Sequence, residues 1–282
     1  MAAVHPINIR YESTDVEIET PRWGYTVTPV MPFTIVHMGG LSWRIQDNGT
    51  AYDRRYLKCE WMLDKTLTDN LLDIFKNVSK GRGKMLTLKL GTSSGFYPFG
   101  PDKGDSGNFQ CVLKSVNPKP SIGHPQDYFQ TECEFMFTGS YPAYSLPTQI
   151  NEGNLQIGTI ANLRYPQNMH DQDIKYGVDV IETHDYSAYV NDRTAGADAF
   201  KAAMSLDLQG PNMAALINHL TGTVRANALN IYPPTNAYLF GRENGDGDED
   251  GLFVCNWIDE SFEIVHRAFN DFGVTLNFAK AA

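Results

Sequence analysis

The sequence predicts a mainly β protein: small β-sandwich or barrel units of the α+β class, with one short helix in each unit. Apolar residues alternate with period two in several segments, and one amphipathic helical pattern follows an alternating segment in each half of the chain. The 24 glycines and 15 prolines indicate many turns. With 282 residues, of which 42% are hydrophobic, the chain is long enough for one large domain or two small ones.

The first half predicts a strand that ends at Leu63 and is followed by a helix. Thr66 or Thr68 is expected to cap this helix, and Gly81 and Gly83 are expected to stop it. Its apolar positions are Leu71, Leu72, Phe75 and Val78.

The second half repeats this plan after a strand that ends at Leu208. Pro211 suits the first turn of a helix, and Gly222 is expected to stop it. Its apolar positions are Met213, Leu216, Ile217 and Leu220. Further strands are expected within residues 27–45, 85–90 and 131–138 of the first half, and within residues 174–189, 228–231 and 273–278 of the second.

Two short motifs occur once in each half. Y-x-F-G begins at Tyr97 and at Tyr238, and G-x-F-x-C ends at Cys111 and at Cys255, with a polar loop between the two motifs. Flanking positions keep a spacing of 141 to 145 residues, and the paired positions are Leu63 and Leu208, Leu71 and Leu216, Phe99 and Phe240, Phe135 and Leu276, and Phe137 and Phe278. The sequence therefore predicts an internal duplication.

The expected organisation is a first unit in residues 1–140, a linker in residues 141–165 that is rich in Pro, Gly and Asn, and a second unit in residues 166–282. Residues 1–145 contain 15 Lys and Arg and 15 Asp and Glu, whereas residues 146–282 contain 8 and 18. The net charge of −10 thus lies wholly in the second half. This charge argues against a protein that wraps nucleic acid.

Several other function classes lack their sequence signals. No apolar stretch is long enough to span a bilayer and the N-terminal residues show no export signal, so we expect no membrane insertion. The scattered histidines form no metal motif, and no nucleotide-binding or nucleophile motif occurs. The four cysteines are expected to be reduced and buried. We therefore expect no cofactor and no catalysis.

The strongest metal candidate is the acidic stretch that begins at Asp246. Asp246, Asp248 and Asp250 alternate like the oxygen ligands that open a calcium loop, but Trp257 stands where the twelfth-position Glu should be. They are weak candidates for a metal site, and an exposed acidic hairpin tip is favoured. The acidic residues of this tip are Glu243, Asp246, Asp248, Glu249 and Asp250.

The tandem units, each with one helix and a long polar hairpin, resemble the tail-tube fold of phage tail tube, distal tail and baseplate hub proteins. The resemblance covers residues 61–137 and 206–278. It implies a structural virion component, assembled in the host cytoplasm, that forms a trimeric or hexameric ring continuing the tail tube and docking on neighbouring tail proteins. DNA would pass such a ring without specific binding, repelled by acidic side chains at the lumen or its rim.

Two alternatives remain open at this point. One is a carbohydrate-binding β-sandwich that uses exposed aromatic rings, for which the candidates are Trp23, Trp43, Tyr97 and Tyr238. The other is a cation-dependent hydrolase or lyase built on the acidic cluster, which would need carboxylates from separate elements to converge.

Overall fold

The structure is a computed structural model. It describes residues 7–11, 14–18, 25–31, 33–37, 43–47, 54–77, 79, 81–89, 108–120, 127–137, 148–166, 171–175, 178–182, 188–192, 199–225, 227–234, 238–239, 242–243, 253–268 and 271–280.

The described residues are mainly strands. The first half contains β1 (Ile7–Tyr11), β2 (Thr14–Ile18), β3 (Tyr25–Val30), β4 (Phe33–His37), β5 (Trp43–Asp47), β6 (Arg54–Asp64), α1 (Lys65–Lys76), β7 (Leu86–Lys89), β8 (Asn108–Pro120) and β9 (Tyr128–Phe137). The second contains β10 (Leu155–Ile157), β11 (Ile160–Leu163), β12 (Asp171–Lys175), β13 (Val178–Glu182), β14 (Ala188–Asp192), β15 (Ala199–Gln209), α2 (Gly210–Asn218), a π-helix (His219–Val224), β16 (Ala228–Tyr232), β17 (Tyr238–Leu239), β18 (Arg242–Glu243), β19 (Phe253–Trp257), β20 (Ile264–Ala268) and β21 (Asp271–Lys280).

One large antiparallel sheet of fifteen strands unites most of the described residues. Its main path runs β11-β10-β16-β19-β21-β20-β3-β6-β9-β8-β7-β1-β2, and β15 joins it beside β21, with β12 beyond β15. The pairs β4–β5, β13–β14 and β17–β18 form separate two-stranded sheets. The prediction of a mainly β fold with one helix after a strand in each half is confirmed.

The strands of the two halves pair in the same order. The first half reads β3-β6-β9-β8-β7-β1-β2, and the second reads β12-β15-β21-β19-β16-β10-β11. In each half a separate hairpin, β4–β5 or β13–β14, lies in the chain between the first two strands of that order. Helix α1 contacts β8, β6, β9 and β2, and α2 contacts β15, β21 and β11, which correspond to β6, β9 and β2.

The ladders place Phe135 and Phe278 alike in the last strands of the two halves. Phe135 pairs with Leu113, and Phe278 pairs with Trp257. Leu113 and Trp257 each lie two residues after the cysteine of G-x-F-x-C, so Phe135 and Phe278 hold the same position relative to that motif, 143 residues apart. The spacing in the sequence pairs Phe135 with Leu276, two residues earlier, and a period-two strand looks alike when it is shifted by two residues.

Helix α1 begins one turn earlier than the sequence indicated. The N-cap is Asp64, whose carboxylate accepts a hydrogen bond from the Leu67 backbone N–H at 2.8 Å. The expected caps Thr66 and Thr68 lie inside the helix, and Thr68 is buried with its hydroxyl 3.4 Å from that of Thr131. Asp is as good an N-cap residue as any, so the helix starts directly after Asp64, the last residue of β6.

Helix α2 continues past the glycine that was expected to end it. Pro211 lies in its first turn, as predicted, but Gly222 lies within the π-helix that follows. Leu220 and Val224 are buried there, so apolar packing favours continued helix over an end at the glycine. Among the described residues, neither helical segment is long and apolar enough to cross a bilayer.

Part of the expected linker is ordered structure of the second half. The hairpin β10–β11 pairs with β16, and its side chains Leu155, Ile157 and Leu163 are buried. Just before it, Glu152 accepts hydrogen bonds from the Gln209 backbone N–H, at 3.0 and 3.2 Å from its two carboxylate oxygens. The sequence of this segment is polar enough to read as a linker because only alternate residues of a short hairpin face the core.

Candidate functional site

The acidic residues singled out in the sequence lie almost wholly outside the described residues. Of the five, only Glu243 is described, at the end of β18, opposite Tyr238 in β17. The weak metal candidates Asp246, Asp248 and Asp250 fall outside, as does Glu249. Within the described ranges no three His, Cys, Asp or Glu residues gather in a way that could hold a metal ion.

The aromatic candidates for sugar binding cannot be placed either. Trp23 and Tyr97 lie outside the described residues, and for Trp43 in β5 and Tyr238 in β17 only the backbone is described. The carbohydrate-binding alternative, which requires these rings to be exposed, therefore stays a prediction.

The two halves of the chain meet where β20 of the second half pairs with β3 of the first. Ile264 lies opposite Val27, and Val265 lies opposite Thr26, in an antiparallel ladder. We call this contact, together with residues 260–263 that precede β20, the seam. The seam makes one continuous sheet from the two halves.

Residues 260–263 extend the seam along β3. Ser261 forms an isolated antiparallel bridge with Val30. The backbone N–H of Met31 donates to the backbone oxygen of Glu260 at 2.7 Å, and the N–H of Ile35 donates to its carboxylate Oε1 at 3.2 Å. The seam is thus held by backbone pairing along the length of β3.

Aromatic stacking reinforces the seam. His266 of β20 stacks on Tyr25 of β3, with ring centroids 4.7 Å apart and ring planes 12° apart. Phe272 contacts both rings, at 5.2 Å from His266 and 6.2 Å from Tyr25. Burial raises the pKa of Tyr25, as does the neighbouring Cys59 to a smaller extent. Burial lowers the pKa of His266, while Asp271 acts in the opposite direction. Both rings are therefore neutral at neutral pH.

A buried carboxylate shapes the connection that brings β20 to the seam. Asp259 accepts hydrogen bonds from the Trp257 indole N–H at 2.9 Å and from the Asn277 backbone N–H at 2.7 Å. Its other oxygen accepts from the Asn277 side-chain amide at 2.6 Å. The backbone N–H of Ile258 also donates to the Asn277 oxygen at 2.9 Å. Residues 258 and 259 are thereby fixed on β21, just before the chain turns to β3.

Among the strand edges that are open in the described part of the chain are those of β8 and β12. Only the first residues of β8, up to Cys111, pair with β7, so the outer edge of residues 114–120 has no strand beside it there. Strand β12 pairs with β15 on one side and, among the described strands, with none on the other. An open edge exposes backbone donors and acceptors that can pair with another chain.

The face of the sheet beside β8 is charged. Lys114 lies 3.1 Å from Glu134 and 4.7 Å from the centre of the Tyr56 ring. Lys58 lies 3.2 Å from Glu132. Partly exposed ion pairs of this kind add little stability.

A polar depression of about 420 Å³ lies beside the π-helix. It is lined in part by Gln156, Thr159, His219, Asn227 and Asn230. The two ring nitrogens of His219 lie 3.4 and 3.3 Å from the backbone nitrogen and hydroxyl of Thr159, and burial lowers the pKa of His219. No carboxylate or thiol is among the described residues that line this depression.

Sequence reasoning missed the seam and anticipated only part of its surroundings. The prediction that the cysteines are buried is confirmed for Cys59, Cys111, Cys133 and Cys255. The strand β20 was not predicted, because its sequence, Ile-Val-His-Arg-Ala, does not alternate between apolar and polar residues. The pairing of β20 with β3 has no sequence signal, because any strand edge presents the same backbone groups.

Comparison with models of known protein families finds no match, and comparison with curated protein sequences finds none.

Proposed function

We propose that this chain is a structural component of a bacteriophage tail tip or baseplate, built from two copies of a tail-tube-like unit. Copies of the chain form a ring that continues the tail tube and binds adjacent tail tube or baseplate proteins. The protein has no catalytic role. It acts in the virion, as a distal tail or hub-like protein, after assembly in the host cytoplasm.

The observation that carries this proposal is the repeated strand order. Seven strands in each half pair in the same sequence, and a helix occupies the same place in both. Equivalent motif residues lie at equivalent ladder positions: Phe109 pairs with Leu88, and Phe253 pairs with Ile231. Two unrelated β-rich halves would have no reason to arrange seven strands in the same order, so a duplicated unit is the simplest source of this agreement.

The seam supports a ring as the form of assembly. It joins one unit to the next edge to edge, through backbone pairing of β20 with β3. A contact between unlike edges leaves a free edge of each kind at the two ends, and repetition of such a contact gives a closed ring when the rotation closes. Three chains with two units each would then give the pseudo-sixfold ring that the resemblance implies.

The charge of the second half fits a conduit for DNA. All of the net charge of −10 lies after residue 145. Acidic side chains that face a lumen repel phosphate groups, so DNA passes without being held. We assign this role to the cluster from Glu243 to Asp250.

The state of assembly in solution tests the proposal. Size-exclusion chromatography with light scattering should give three or six times the chain mass of 31.5 kDa. Electron microscopy should then show rings with two similar lobes for each chain. A particle that stays monomeric at about 100 µM, where even modest interfaces associate, contradicts the proposal.

A further inference from the structure

We propose that the open edge of β8 pairs with β12 of a second copy of this chain, in the register that β20 and β3 adopt within the chain. This inference rests on the proposed function, since it names the contact that closes the ring. The seam pairs β20 of the second half with β3 of the first. The proposed contact pairs the strands that correspond to these two, β8 of the first half and β12 of the second.

The first step is to find the residues of β8 that correspond to β20. Ile264 pairs with Val274 of β21, and Pro118 pairs with Thr131 of β9. Val274 corresponds to Thr131 because the last strands of the two halves align 143 residues apart. Pro118 therefore takes the place of Ile264, and the residue after each corresponds in the same way.

The second step is to find the residues of β12 that correspond to β3. Thr26 pairs with Lys58 of β6, and Asp171 pairs with Ala203 of β15. Strands β6 and β15 align 145 residues apart, which matches Lys58 with Ala203. Asp171 therefore takes the place of Thr26, and β12 offers to a second chain the edge that β3 offers within this one.

The register derived in this way places two opposite charges directly across from each other, although charge was not used to derive it. Within the chain, Val265 lies opposite Thr26. Between chains, the corresponding residues are Lys119, which is exposed, and Asp171. Opposite charges at directly facing positions of an antiparallel pair attract, whereas like charges there repel. Lys119 therefore has a matched partner on β12 of a second copy.

The prolines of β8 favour this partner over another β8 edge. The backbone oxygen of Glu260 accepts a hydrogen bond from the Met31 N–H. Every second residue of an antiparallel strand points its N–H and C=O toward the same neighbour, so Glu260, Phe262 and Ile264 direct theirs to β3. By correspondence, Pro118 and Pro120 face the open edge. Proline has no N–H, so this edge can accept hydrogen bonds but donates few.

Two β8 edges would both lack donors at these positions and cannot form a full ladder with each other. Strand β12, Asp171–Lys175, contains no proline, and every residue in it has an N–H to donate. The seam already tolerates one proline, since Pro29 lies in β3 between Val27 and Met31. The edges are therefore complementary, and they join copies head to tail.

Cysteine cross-linking between two chains tests this register. One chain has Lys119→Cys, the other has Asp171→Cys, and the two are mixed and assembled before mild oxidation. These residues form the non-hydrogen-bonded type of pair, whose Cα atoms lie about 4.5 Å apart, within the range that a disulfide spans. In a head-to-tail ring of randomly mixed chains the two cysteines face each other at about one contact in four, so we expect up to about half of the chains to run as a covalent dimer on a non-reducing gel.

Two controls accompany this experiment. A chain with both Thr26→Cys and Val265→Cys has the corresponding pair inside the seam, and it should form a disulfide without any increase in mass. A mixture of Lys114→Cys with Asp171→Cys is out of register and should give no more dimer than the unsubstituted protein.

The outcomes separate this inference from the proposed function. If rings form but the Lys119 and Asp171 cysteines do not cross-link, while the seam control does, the β8–β12 pairing is wrong and the ring stands. If the unsubstituted chain is monomeric at about 100 µM, both are wrong. As a second measurement, Lys119→Asp should weaken association about fivefold per contact, the upper end for a cross-strand pair. Combining it with Asp171→Lys should restore association.

Discussion

Replacing Asp259 with alanine should destabilise the protein more than almost any other change of one polar side chain. Asp259 is only 8% exposed, and its carboxylate accepts three hydrogen bonds, from the Trp257 indole and from the backbone and side-chain amides of Asn277. Asp259→Ala removes the acceptor of all three donors, and Trp257 has no exposed surface on which water could replace it.

The expected loss follows from the cost of such groups. Hydrogen bonds to a charged group contribute about 1.5 to 3 kcal/mol each, and three bonds to one carboxylate are not additive. We expect Asp259→Ala to lower the free energy of unfolding by about 3 to 5 kcal/mol. Asp259→Asn keeps one acceptor oxygen and should lose about half as much.

Urea unfolding followed by tryptophan fluorescence and far-UV circular dichroism measures this loss, and Trp257 itself reports on the site. Glu263→Ala is the matched control, because Glu263 is an exposed carboxylate on the same connection and should change stability by less than about 0.5 kcal/mol. If Asp259→Ala loses no more than this control, Asp259 does not fix the connection to β20. The seam would then need another source of its geometry.

Three further predictions concern pH, thiols and the acidic tip. The pKa of His266 in the folded protein lies below its ordinary value of 6.5. The contribution of the neutral ring to stability is therefore complete above pH 6.5 and is lost as the pH falls further. Between pH 7.5 and 5.5, the His266→Phe variant should lose less stability than the unsubstituted protein, as measured by urea unfolding. Native thiols should react slowly with a coloured disulfide reagent, because burial raises the pKa of Cys111 to about 12 and raises the pKa of the others; two or more fast-reacting groups would contradict this. Neutralising the acidic tip to Asn and Gln should leave the melting temperature and assembly nearly unchanged but reduce DNA passage or the infectivity of particles. The tip would instead be a structural metal site if the variant fails to assemble. The same conclusion would follow if the unsubstituted protein binds calcium at micromolar concentration and melts at a higher temperature with it. The four changed residues are Asp246, Asp248, Glu249 and Asp250.

Local pattern was enough to predict the classes of element and most of the core. Cys59 and Trp61 alternate with the polar Lys58 and Glu60, and the structure buries both in β6. Leu71 and Leu216 lie on the buried faces of the two helices, as helical spacing indicated. These features are predictable because a side chain's burial in a strand or helix follows from its own periodicity. The choice of helix cap failed because several suitable residues stood within one turn.

The sequence by itself determined a mainly β chain with a helix after a strand in each half, and it placed the thiols inside the core. Only the tertiary structure decided that residues 155–163 pair with β16, that Phe135 and Phe278 hold like positions beside the two G-x-F-x-C motifs, and that β20 joins β3. The physical reason is the same for all three. Side-chain pattern selects which face of a strand is buried, whereas partner and register depend on backbone groups that nearly every residue shares and on how the whole sheet is brought together.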